Sequence, residues 1–99
     1  MKNKKILNFL LSNGIKAHLK GFTYLYDAIE ILLNDKKREL KIVHDVYPKV
    51  ADKHNTTWSR VERCVRTAIH TSRGEYKKKT PSEFFSIAII LILCGDGND

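Results

Sequence analysis

The sequence predicts an all-α domain, a compact bundle of about five helices, and three observations lead there. Its 99 residues include only five glycines and two prolines, among many Leu, Ile and Lys residues, as helices joined by short loops require. Apolar residues are spread along most of the chain, so it is not of the disordered class. In residues 57–72, Val61, Cys64, Val65, Ala68 and Ile69 recur at steps of three and four, the buried stripe of an amphipathic helix. A chain of this length holds one modest core, so residues 1–99 form a single domain.

The elements follow in order. Ile6, Leu7, Phe9, Leu10 and Leu11 form a short helical cluster, stopped by Asn13-Gly14. Gly21 separates a loop from a second helix over about 22–34, whose Leu25, Ala28, Ile29 and Leu32 share one face. Leu40, Ile42, Val43 and Val46 suggest a third helix running up to Tyr47. Pro48 suits the first turn of a short fourth helix over 48–54, where its missing N–H costs nothing. Thr57, with Thr56 as the alternative, caps the helix over 57–72. Asn55 before it tolerates the left-handed conformation of a tight turn. Residues 74–80 read as a basic, polar linker. Thr80 or Ser82 then caps a last helix, with Pro81 in its first turn in the former case. Residues 95–99 are expected to be frayed.

The net charge of +7 favours a polyanionic partner without dictating a fold. Cys64 and Cys94 are too few for a disulfide scaffold, as in a reducing compartment. The apolar run 84–94 falls short of the roughly 20 residues that span a bilayer, and the N-terminal apolar stretch is too short for a signal peptide. A cytoplasmic location and no membrane partner are therefore expected. His18, a packing or capping residue, and His44, His54 and His70 stand at no zinc spacing from either cysteine, so no metal or cofactor is expected. Phosphate loops, nucleophile elbows and paired catalytic carboxylates are missing from the pattern, and no enzyme is expected.

One constellation carries function. Ala51, Asn55, Val61 and Cys64 have the spacing of a helix-turn-helix: a small residue at the crossing, a turn residue, then the inner face of the second helix. At about 100° per residue, Ser59, Arg63, Arg66 and His70 fall together on the outer face, flanked by Arg60 and Glu62. Arginines near the start of such a helix sit where a major-groove reader makes base contacts. An arginine fork can bond O6 and N7 of guanine, and a glutamate can accept from the cytosine amino group. Glu62 has a second reading, as the i,i+4 partner of Arg66 on a solvated face. Trp58, Tyr24, Tyr26 and Tyr47 are read as core or boundary residues rather than a base-stacking platform. Trp58 is the one to watch, because it stands in the first turn of the reader helix.

Several strings resemble one family. They are Gly14-Ile15-Lys16-Ala17-His18-Leu19-Lys20-Gly21-Phe22, Tyr24-Leu25 and Ala28-Ile29, Tyr47-Pro48, Asn55-Thr56-Thr57, and above all Ser59-Arg60-Val61-Glu62-Arg63 with Arg66. They are similar to the C-terminal DNA-binding domain of the stage-zero sporulation response regulator family. The likeness runs over about 14–74 and returns at Ser82-Glu83-Phe84. It implies an all-helical effector domain that binds a TGTCGAA-like box and regulates transcription, with the helix over 57–72 in the major groove. The DNA-binding residues it implies are Ser59, Arg60, Glu62 and Arg63, with Arg66 nearby; Thr57 and His70 complete the candidate set.

Three departures qualify the likeness. The sequence has no counterpart of the family's phosphorylated receiver domain, so control by phosphorylation of that kind is not expected. The stretch after Gly74 is shorter, losing part of a polymerase-contacting surface, which makes RNA polymerase the weakest of the implied partners. The last helix is apolar nearly all round, and such a helix must be buried by its own domain or by a partner. A homodimer through that helix is expected, with a monomer whose last helix folds back as the alternative. The function expected is that of a sequence-specific DNA-binding regulator. The competing reading is a protein-interaction module that partners or antagonises a full-length regulator.

Overall fold

The computed structural model describes residues 1–95, and among these every regular element is helical. The tail expected to fray lies outside the described residues except for Gly95.

Helix α1 (Lys4–Ser12) starts at Asn3, whose side-chain oxygen accepts from the N–H groups of Lys5 and Ile6. The Asn3 N–H donates to the Tyr26 hydroxyl at 2.8 Å, tying the start of the chain to the second helix. At the other end Asn13 Nδ2 donates to the Phe9 carbonyl at 2.8 Å, and the Gly14 N–H donates to Leu11 at 3.1 Å. Gly14 takes φ +77. A Cβ there would stand 2.7 Å from the Arg73 backbone, whose N–H donates to the Gly14 carbonyl.

Helix α2 (Lys20–Asn34) is the centre of the bundle. The apolar pattern suggests one buried face, but Gly21, Phe22 and every residue from Tyr24 to Ile29 are buried, because the other helices surround it. The helix also begins earlier than expected. Gly21 lies in its first turn rather than in a loop, and a Cβ there would collide with the Cys64 carbonyl and stand 2.7 Å from Ala68 Cβ. Backbone meets backbone at that crossing.

The third helix expected up to Tyr47 shrinks to one π-helical turn, Ile42–Val46. Asp35 accepts from the Leu40 N–H at 2.9 Å and Asp45 from the Lys41 N–H at 2.7 Å, so carboxylates hold this stretch extended until the turn begins. Helix α3 (Tyr47–Lys53) follows directly, with Pro48 in its first turn. Helix α4 (Trp58–His70) is capped by Thr57, which accepts from the Arg60 N–H. Val61, Val65, Ala68 and Ile69 are fully buried, and Cys64 is half-buried at the edge of the stripe.

The stretch expected as a polar linker contains a 3₁₀ turn, Glu75–Lys78. Its Tyr76 ring stacks on Phe9 and meets the edge of Phe84. Helix α5 (Pro81–Cys94) is capped by Thr80 rather than Ser82, and the capping is reciprocal. Thr80 Oγ1 accepts from the Glu83 N–H at 3.2 Å, and Glu83 Oε1 accepts from the Thr80 N–H at 2.9 Å. The Thr80 backbone and hydroxyl bonds hold the Glu83 carboxyl below its usual range. A carboxyl lowered by folding stabilises above its ordinary value of 4.5 and loses that contribution as the pH falls through the lowered one. Glu83→Gln should therefore flatten the acid limb of a plot of melting temperature against pH.

One side of α5 completes the core with Phe84, Phe85, Ala88 and Ile92, packed on α1, α2 and α4. The other side leaves Ile90 and Leu93 more than half exposed. The helix is buried by its own domain along one face only.

Candidate nucleic-acid interface

Helices α3 and α4 meet across a short turn. Ala51 of α3 is buried, and its carbonyl accepts from the Thr56 N–H at 2.9 Å. Asn55 takes φ +55, the left-handed step its residue type was expected to supply. The turn aims α4 outward while Val61 and Val65 anchor its inner face.

The outer face of α4 brings most of the candidates together. Ser59, Arg60, Arg63, Arg66 and His70 are exposed along it, and Glu62 is partly buried at its edge. Among the described residues the side chains of Arg60 and Arg63 form no ion pair, so two guanidinium forks face solvent unpaired. Arg66 Nη2 donates to Glu62 Oε2 at 3.3 Å. Exposed i,i+4 pairs of this kind contribute about 0.3–0.5 kcal/mol, little enough for a stronger anion to take the arginine. Thr57 is exposed, but its hydroxyl serves the helix as its cap and lies 3.3 Å from that of Ser59. It positions the face more than it belongs to it. Trp58 projects beside these residues, 47% exposed.

Three buried residues fix this face, and sequence reasoning missed the role of each. Gly21 sets how closely α4 approaches the central helix. Asp27 is 4% exposed; its Oδ1 holds Lys53 Nζ at 3.0 Å and its Oδ2 pairs with His54 Nε2. The carboxylate thus pins the end of α3, and the Lys53 ammonium is pushed up by its bond to Asp27 and by the carboxylate's charge. No pattern signalled this, because Asp27 lies off the α2 stripe and is buried only when α2 is covered on every side. His54 joins this node, while His18, expected to pack or cap, is exposed.

Tyr47 is the third. Its ring is 1% exposed and packs edge-on against Phe85, yet its hydroxyl has no hydrogen-bond partner among the described residues. Burial pushes the phenol's pKa well up, the Glu62 charge adds to this, and Arg66 opposes it. Leaving such a group unsatisfied costs about 1–3 kcal/mol.

Among the described residues no three of His, Cys, Asp and Glu gather as a metal site would require. No described helix is long and apolar enough to cross a membrane. What the surface offers is a row of exposed cationic and hydroxyl groups on one rigid helix, which suits a polyanion. The family described as sporulation initiation factor Spo0A C terminal matches residues 6–90, reaching further at both ends than the strings that carry the likeness in the sequence. The chain belongs to this family of DNA-binding effector domains, which is a regulatory family and not an enzyme family.

Proposed function

We propose that this protein is a sequence-specific transcription regulator of the cytoplasm, whose α3–turn–α4 unit is a helix-turn-helix that lays α4 in the major groove of a TGTCGAA-like box. The observation that carries the reading is the outer face of α4, where the unpaired Arg60 and Arg63 stand beside a Glu62–Arg66 pair weak enough to open. In this reading Arg63 and Glu62 contact bases, and Arg60 contacts a base or a phosphate. Ser59, Arg66 and His70 line the same groove. Thr57 sets the angle of entry as the cap.

A gel shift with the box against scrambled DNA, repeated over a salt series, tests it. Binding should favour the box and weaken steeply with salt, by a log–log slope of about 0.9 per phosphate neutralised. Arg63→Ala should cost about 1–3 kcal/mol on the box and relax discrimination at one G·C pair. Equal loss on both DNAs would make Arg63 a phosphate contact only.

The same reading includes a homodimer, because Ile90 and Leu93 leave an apolar strip along α5 and a two-fold pair is the commonest way to cover one. Exposed positions are the ones to test, since Ile92 is part of the core. Sedimentation equilibrium at micromolar concentration should give a dimer mass, falling to a monomer in the double variant Ile90→Ser, Leu93→Ser. A monomer mass for the unaltered chain would dispose of the dimer.

A further inference from the structure

Tyr47 carries an oxygen that the core does not need. Its ring contact with Phe85 would be kept by phenylalanine, and its hydroxyl is buried without a partner among the described residues. The residue lines a crevice of about 660 Å³ together with His44, Glu62, Arg66 and Thr80. Two of those, Glu62 and Arg66, are members of the DNA-facing set and hold each other through one long bond at 3.3 Å. Charge-assisted bonds of this type usually close to 2.7–2.9 Å.

On the reading proposed above, Arg66 leaves Glu62 when DNA arrives. That would strand a carboxylate beside phosphates, where it repels the ligand unless another donor takes it. The phenol is a neutral donor that lines the same crevice as Glu62 and feels its charge, and the Glu62 side chain is only partly buried. We propose that Tyr47 is a positioning residue for base reading: its hydroxyl takes over the Glu62 carboxylate when Arg66 turns to DNA, and holds it to accept from a cytosine amino group. The unsatisfied hydroxyl of the free protein is then a donor kept in reserve for the bound one. This deepens the helix-turn-helix reading and rests on it.

The test is Tyr47→Phe, measured against the box, against the box altered one base pair at a time, and in thermal melts of the free protein. Unaltered protein should discriminate at a C·G pair whose preference disappears in Glu62→Gln. Tyr47→Phe should weaken binding to the box by roughly tenfold and flatten discrimination at that same pair, while the free protein melts no lower than before. Adding Tyr47→Phe to Glu62→Gln should bring little further loss, since the two act as one unit. Unchanged discrimination in Tyr47→Phe overturns the proposal. So does a parallel loss on cognate and scrambled DNA with a lowered melting point, which is the mark of a packing role alone. If unaltered protein shows no preference for the box over scrambled DNA, the DNA reading itself falls and takes the proposal with it.

Discussion

Phe84→Ala is expected to remove about 3–5 kcal/mol of stability, a large fraction of what holds a domain of this size together. Phe84 is fully buried and meets Phe9, Tyr76 and Phe85 edge to face, with ring centres 5.6, 6.0 and 6.2 Å away. Aromatic pairs in this geometry add to the loss of buried area, and a helix, a 3₁₀ turn and α5 itself would all lose a shared contact. Urea unfolding should show the midpoint fall without a change of slope. The result bears on how α5 is used. If Phe84→Ala left stability untouched, α5 would be a detachable segment rather than a wall of the core, and exchange between protomers would be easy to arrange.

Gly21→Ala is expected to reverse the usual sign of its exchange. Alanine in place of glycine gains about 1 kcal/mol in a helix interior and less in a first turn such as that of Gly21. Here the new methyl would meet the Cys64 carbonyl and the Ala68 side chain, so α2 and α4 must part, at a cost of about 1–3 kcal/mol or more. Neither contact is the flexible tip of a long side chain. Because α4 carries the exposed arginines, the separation should also weaken DNA binding beyond what lost stability explains. Urea midpoints and gel shifts on the same preparation check both halves, and an alanine variant as stable as the parent would mean that the crossing is looser than it looks.

These two residues also show what a sequence can convey. The α4 stripe, the Thr57 cap and the left-handed Asn55 were legible because each is a local demand met by a residue type suited to it. The outer face was legible for the same reason, since periodicity that buries Val61 and Val65 also exposes Arg63. Gly21 was misread because a loop break and a close helix crossing call for the same residue. Tyr76 and Asp27 were illegible because their neighbours, Phe9 and Phe84 in one case, Lys53 and His54 in the other, come from distant parts of the chain. Tyr47, read as a core or boundary residue, is core, but its residue type places a ring and says nothing about what its oxygen meets. The helix expected at 40–47 was cut back to the π-helical turn at 42–46, because the Asp35 and Asp45 carboxylates take the N–H groups of Leu40 and Lys41 just before it.

The end of α1 has a consequence for how the protein ages. Asn-Gly is the dipeptide most prone to deamidation, because the glycine nitrogen can attack the asparagine side-chain carbonyl, close a succinimide and expel ammonia. In the fold both parties are engaged elsewhere: the Gly14 N–H bonds Leu11, and Asn13 Nδ2 bonds Phe9. Cyclisation must break both bonds and rotate the side chain out of its cap, so the reaction belongs to molecules in which this corner has opened. The aspartate or isoaspartate left behind no longer has the amide that donated to Phe9, which makes the next opening easier. Deamidation at Asn13 thus records, once per molecule, that this corner has opened, and leaves the marked molecules with a weaker end to α1.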